Sequence, residues 1–287
     1  MPEQNDVQTG FADINGGRMY YEVAGDGPAL VLLHAGIADH RMWEDQFLVF
    51  AQHYRVIRCD LWGYGKSTAP AQTYALHQDV YQLLQLLGVE QAHLLGCSGG
   101  GAVSIDLALA YPQWVKSLIV SGSGLGGYQF TGEAIQRASE QMRTAWEQKD
   151  FTQLIELTLR LWVDGRDRAP DQVDARVRER VREMLVDRRG VEAAEQPLEP
   201  PAIGRLTEIK APTLIILGER DEANIFTIAD LLAASVPGAQ TIVIPDTAHL
   251  PNMEKPEEFN RVVLEFLAGV AVSVIPNEVR GLHSPQP

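Results

Sequence analysis

The sequence predicts an α/β protein: a mostly parallel eight-stranded sheet flanked by helices, with a helical cap inserted late in the chain. Short apolar runs alternate with longer amphipathic ones through most of the 287 residues. Most of the short runs are too continuously apolar for a sheet with one wet face. The alternation stops between Gly124 and Ala211, where helical patterns follow one another without strand signals.

The elements follow in order. FADINGGRMYYEVAG, with Asn15-Gly16 at its centre, predicts an antiparallel hairpin at one sheet edge. The runs 29–35, 54–60, 92–97, 117–123, 212–218 and 239–245 predict the remaining strands. Helices are expected in YALHQDVYQLLQLLGV and in AVSIDLALAYPQWV, which begins directly after a glycine cluster. Another is expected in PEEFNRVVLEFLAGV, where Phe259, Val262, Val263, Phe266 and Leu267 share one face. Within the insertion, Ile135, Ala138, Met142, Ala145 and Trp146 form one stripe and FTQLIELTLRLWV a second helix. DARVRERVREMLVDRRG sets Val177, Val181 and Leu185 against a crowd of arginines, read as a solvated face with acidic partners rather than a site for an acidic ligand. The expected division is a core of residues 1–126 and 201–270, a cap of residues 127–200 and a C-terminal tail of residues 271–287.

Composition narrows the function. With 45% hydrophobic and 22% charged residues, the chain has the make-up of a globular domain with a sizeable core. A formal net charge of −14 disfavours nonspecific nucleic-acid binding and leaves a small molecule as the expected partner. The chain opens with neither a basic stretch nor an apolar one, and no run approaches the roughly 18 apolar residues of a membrane span, so a cytoplasmic protein is expected. The two cysteines, Cys59 and Cys97, end strand-like runs and match neither a disulfide framework nor a metal-ligand spacing.

The stretch HLLGCSGGG carries the chemistry. An apolar strand stops at Gly96, and an amphipathic helix begins beyond Ser98. A strand that turns directly into a helix needs small neighbours around one strained residue, and glycines two positions to either side of Ser98 meet that need. This is a nucleophile elbow, with Ser98 exposed at a helix amino terminus that stabilises negative charge. Serine needs a base at neutral pH, and His249 in PDTAHLPNMEKP, just past the last strand, is the candidate among seven histidines. His34 belongs to a loop after an early strand, His40, His53, His77 and His93 read as surface or packing positions, and His283 lies in the tail. Asp221, beyond the strand PTLIILG, is the expected partner of the imidazole. Glu219, Glu222 and Asp246 compete, although Asp246 more plausibly orders its own loop.

Taken together, these motifs resemble the α/β-hydrolase fold family with a helical cap, and the likeness runs from the Asn15-Gly16 hairpin to about Leu267. The family's His-Gly pair after the third strand corresponds to His34-Ala35 followed by Gly36, with alanine in place of glycine. The resemblance implies that the backbone N–H groups of Gly36 and Gly99 form the oxyanion hole. DLWGYGKS resembles the family's Asp-x-Arg-Gly-x-Gly-x-Ser loop with Trp62 in the arginine position, and reads as a structural turn in which Trp62 packs. The expected activity is hydrolysis of small to medium carboxylic esters or lactones through an acyl-enzyme, with no cofactor and no metal. The alternatives are a carbon–carbon bond hydrolase, a perhydrolase or a hydroxynitrile lyase on the same fold, or a catalytically silent binding protein. Oligomeric state is not legible.

Overall fold

The chain, described over residues 7–273 by a computed structural model with side chains to residue 270, begins with the expected hairpin. Strands β1 (Gln8–Ile14) and β2 (Gly17–Ala24) pair antiparallel. Asn15 and Gly16 between them have φ of 52° and 80°, the two positive values that a two-residue type I′ turn requires. Strand β2 pairs antiparallel with β4 (Arg55–Cys59). From there the sheet is parallel: β3 (Ala29–Leu33), β5 (Ala92–Cys97), β6 (Val115–Ser121), β7 (Thr213–Gly218) and β8 (Gln240–Ile244). The order across the eight strands is β1-β2-β4-β3-β5-β6-β7-β8. Strands β3, β5 and β7 are buried along their whole length, which is why their sequences are continuously apolar. Strand β8 forms the far edge, and Ile242 and Val243 are exposed there.

Two apolar layers sandwich the sheet. On one face α1 (Glu44–Phe50) and α9 (Pro256–Ser273), which follows the one-turn α8 (Pro251–Glu254), bring Phe47, Phe50, Phe259, Val263 and Leu267 together with Trp43. On the other, α2 (Leu76–Leu86), α3 (Gly99–Ala110) and α7 (Ala223–Ser235) contribute Val80, Leu83, Ile105, Leu107, Ile225, Ile228 and Leu232. Phe266, expected on the core face of α9, is only partly buried. Helix α3 starts at Gly99, inside the glycine cluster rather than after it. No helix among the described residues is long and apolar enough to cross a membrane.

Between β6 and β7 lie α4 (Glu133–Glu147), α5 (Phe151–Leu159), a π-helical turn at Arg160–Asp164 and α6 (Ala175–Val186). Ile135 and Ala145 of the expected α4 stripe are buried, but Trp146 is 62% exposed. It lies one residue beyond Ala145, about 100° further round the helix, and meets Phe151 edge-on outside the core at 5.8 Å. On α6, Val177, Val181 and Met184 face inward, while Arg176, Arg178, Arg180 and Arg182 pair with Asp174, Asp164, Asp45 and Glu179. The arginine face is thus occupied by carboxylates.

Topology fixes where a site can form. The chain leaves β3 toward β4 on one side and leaves β5 toward β6 on the other, so these two connections run in opposite directions. The crevice beyond the carboxyl ends of β3 and β5 is the switch point at which open α/β sheets bind ligands.

Candidate active site

Ser98 stands in that crevice, between β5 and α3, with φ 53° and ψ −115°, a backbone conformation that L-residues rarely adopt. The flanking glycines make it accessible. A Cβ on Gly96 would lie 2.2 Å from the Gly100 carbonyl oxygen, and one on Gly100 would lie 2.2 Å from that of Leu33. Three backbone hydrogen bonds hold the turn: Ser98 N–H donates to Ser121 O (2.9 Å), and Ser98 O accepts from Ala102 (3.0 Å) and Gly124 (2.9 Å). Cys97 is fully buried beneath it, and burial pushes its thiol up, so it stays a neutral thiol.

His249 and Asp221 meet beyond the ends of β8 and β7. Imidazole Nδ1 lies 3.0 Å from Asp221 Oδ1 and 2.9 Å from Oδ2, and both side chains are 1% exposed. A carboxylate offers only acceptors, so in the neutral imidazole Nδ1 carries the proton and Nε2 the lone pair. Asp221 Oδ1 also accepts from the Glu222 N–H at 2.7 Å, which fixes the carboxylate plane. The competing acids are placed elsewhere. Glu222 caps α7 by accepting from the Asn224 N–H, Glu219 accepts from the Asp246 N–H, and Asp246 takes a hydrogen bond from Arg220 at 3.1 Å. Ser98 Oγ and His249 share this end of the sheet, but no hydrogen bond joins them in this structure; the His249 carbonyl lies 3.8 Å from Cys97 Sγ, next to Ser98.

Gly36, after β3, approaches the elbow: its backbone N is 3.7 Å from where a Cβ on Gly99 would stand. His34, fully buried, donates from Nδ1 to Ala35 O at 2.8 Å and accepts the Leu61 N–H on Nε2 at 2.8 Å. Burial lowers its pKa, so it stays neutral and ties the Gly36 loop to the one after β4. In that second loop Asp60 accepts from the His40 N–H and ring and from the Lys66 N–H, and Trp62 is buried with its indole N–H on Asp79 at 2.8 Å.

Three neighbours escaped the sequence reading. Trp162, in the π-helical turn, places its ring 4.4 Å from that of His249 and accepts the His249 N–H on its carbonyl at 3.2 Å. Gly122 packs so closely that a Cβ there would lie 3.0 Å from His249 Nδ1 and 3.1 Å from Asp221 Oδ2. Its signal was a glycine ending an apolar strand, which marks a close approach. Tyr64, within DLWGYGKS, puts its hydroxyl 3.5 Å from the Cβ position of Gly36.

The sequence pattern of the alpha/beta hydrolase fold matches residues 28–256, and the chain belongs to this family. A 2-hydroxy-6-oxononadienedioate/2-hydroxy-6-oxononatrienedioate hydrolase of Burkholderia vietnamiensis is 32% identical over 87% of this chain and 91% of its own. The pimeloyl-[acyl-carrier protein] methyl ester esterase of Aeromonas hydrophila is 29% identical over 85% and 96%. Among solved structures, a hydrolase from Pseudomonas aeruginosa PA01 superposes with a TM-score of 0.75 at 29% identity, covering 92% of this chain and 99% of that one.

Proposed function

We propose that this protein is a serine hydrolase that cleaves small to medium carboxylic esters or lactones through an acyl-enzyme. His249 takes the Ser98 proton on Nε2, Ser98 attacks the carbonyl, and the N–H groups of Gly36 and Gly99 hold the oxyanion of the tetrahedral intermediate. Asp221 keeps the Nδ1–H tautomer and offsets the imidazolium charge. The alcohol leaves with the proton from His249, and water, activated by the same imidazole, releases the acid. The observation that carries this reading is the strained Ser98 turn at the same sheet end as the buried His249–Asp221 pair.

Each arginine from Glu133 to Val186 is engaged by a carboxylate or a backbone carbonyl, as with Arg160, Arg166, Arg168 and Arg178, so the inserted helices themselves offer a dianionic substrate little.

The Burkholderia relative favours a second reading. The compound it is named for carries carboxylates, an enol and a ketone but no ester, so its hydrolysis must break a carbon–carbon bond beside the ketone. A panel decides between them: aryl esters of increasing acyl length, simple lactones and a vinylogous diketone, compared by kcat/KM. The proposal expects short esters or lactones to lead, because a cap made by the inserted helices would bound the acyl pocket. Rapid diketone cleavage with negligible ester turnover would move the assignment to the second reading, and a steady rise toward long acyl chains would contradict an enclosed site. Fluorophosphonate labelling at Ser98 separates either enzyme from a silent binding protein.

A further inference from the structure

We infer that the Tyr64 hydroxyl is a substrate-contacting hydrogen-bond donor beside the Gly36 N–H, a role distinct from the packing duty of the loop that carries it. The inference rests on the serine-hydrolase reading above.

The loop is built to hold this ring firmly. Leu61 O accepts the Tyr64 N–H at 3.1 Å, Tyr64 O accepts the Ser67 N–H at 3.1 Å, and Gly63 O accepts the Arg189 N–H at 3.0 Å. The ring meets that of His34 edge-on at 5.0 Å, and the Arg188 guanidinium covers it 4.9 Å from the centroid. The other polar groups of the loop are spent within the protein: Asp60 on His40 and Lys66, Trp62 on Asp79, Ser67 on the Asp60 carbonyl. The Tyr64 hydroxyl is the exception. It makes no hydrogen bond among the described residues, and it lies 3.5 Å from the Cβ position of Gly36, whose N–H flanks Gly99. The hydroxyl is not among the sealed, unpartnered polar atoms of the described residues, so it is open to water or to a ligand oxygen. The acceptor with the right position and chemistry is an oxygen of the substrate at the oxyanion pocket. Burial pushes the phenol's pKa up, with the nearby Arg188 opposing and the nearby Glu195 adding, so the group remains a protonated donor at neutral pH.

The test is Tyr64→Phe, which removes one oxygen that no protein group uses and keeps the ring contacts, so folding should be unaffected. Two rates are compared with wild type: phosphonylation of Ser98 by a fluorophosphonate, and kcat/KM for a short aryl ester. The inference expects both to fall about tenfold or more, the ester loss falling mainly on kcat, at an unchanged melting temperature. A variant that labels at the wild-type rate overturns it, as does a loss confined to a lowered melting temperature. Wild-type protein that labels but turns over no ester would end the ester reading and leave the labelling comparison to decide this one. Wild-type protein that does not label would end both.

Discussion

Replacing Asp221 by asparagine probes the proposed roles most directly, because the structure dictates what the amide must do. The carboxylate accepts from His249 Nδ1 on both oxygens and from the Glu222 N–H on Oδ1, all within 3.0 Å and out of solvent. An asparagine that keeps its carbonyl on the Glu222 N–H turns its NH2 toward Nδ1. Nδ1 must then accept, the proton moves to Nε2, and the imidazole can no longer take a proton from Ser98. The flipped amide would set its NH2 against the Glu222 N–H, donor facing donor. Loss of the working tautomer costs about 10⁴-fold in kcat, about 5 kcal/mol of transition-state stabilisation. Asp246→Asn is the control, since its 70% exposed carboxylate only pairs with Arg220 at the surface, an interaction worth at most about 1 kcal/mol. Steady-state kinetics on a short aryl ester, with melting temperatures by circular dichroism, should give a loss of about four decades for Asp221→Asn and less than twofold for Asp246→Asn. A larger loss for Asp246→Asn at equal stability, or an Asp221→Asn variant within tenfold of wild type, would refute the assignment.

Other outcomes follow from single contacts. Ser98→Ala should abolish fluorophosphonate labelling and lower turnover by several orders of magnitude while leaving the fold intact; an adduct on Cys97 in wild-type protein would relocate the nucleophile. Gly122→Ala forces a methyl group to 3.0 Å from His249 Nδ1 at a residue with φ 50°, and should cost at least 100-fold in kcat and several degrees in melting temperature; wild-type kinetics would mean the pair tolerates displacement. Asp106 on α3 has its pKa raised to about 7, first by burial and then by the Glu195 carboxylate, with Arg205 opposing. Because the folded value lies above the unfolded one, the acid stabilises the fold below about pH 4, and that advantage is lost as pH rises through 7. Asp106→Asn should therefore raise stability at pH 8, on the order of 4 kcal/mol, and have no effect at pH 4; an equal gain at both would point to packing instead of charge.

What the sequence disclosed and what it hid have physical reasons. The strands were legible because a sheet covered on both faces must be apolar without interruption, as in ALVLL and TLIILG. The elbow was legible because no side chain fits at Gly96 or Gly100, so the composition records the backbone geometry. The sequence favours Asp221 over Glu219, Glu222 and Asp246 as a strand-end acid able to approach the imidazole from the side, yet all four flank strand ends and only the fold decides which one faces the ring. Trp162 was invisible because its value lies in a contact with a residue far along the chain, and a π-helical turn leaves no local signature in RLWVD. Tyr64 was masked for another reason. Its loop has an evident structural purpose in Asp60 and Trp62, and a residue with a different task inside it is distinguished only by the partner its hydroxyl lacks.

The segment 160–168 joins the inserted helices to the chemistry. Beyond the Trp162 contacts, the Arg166 N–H donates to Arg220 O at 2.8 Å, immediately before Asp221. Arg168 donates to Asp246 O at 3.0 Å and pairs with Glu254 at 2.7 Å, and Glu254 in turn accepts the Ala248 N–H beside His249. Arg168 and Glu254 are both close to fully buried, so this pair is poorly screened, and breaking it would strand two charges. Displacing the segment would thus pull on both loops that carry the His249–Asp221 pair. Ahead of α4, Tyr128 and Thr131 are held separately through the buried Asn224. On the proposed reading, residues 160–168 would therefore serve as a fixed wall of the site, because moving them would displace the pair to which they are tied.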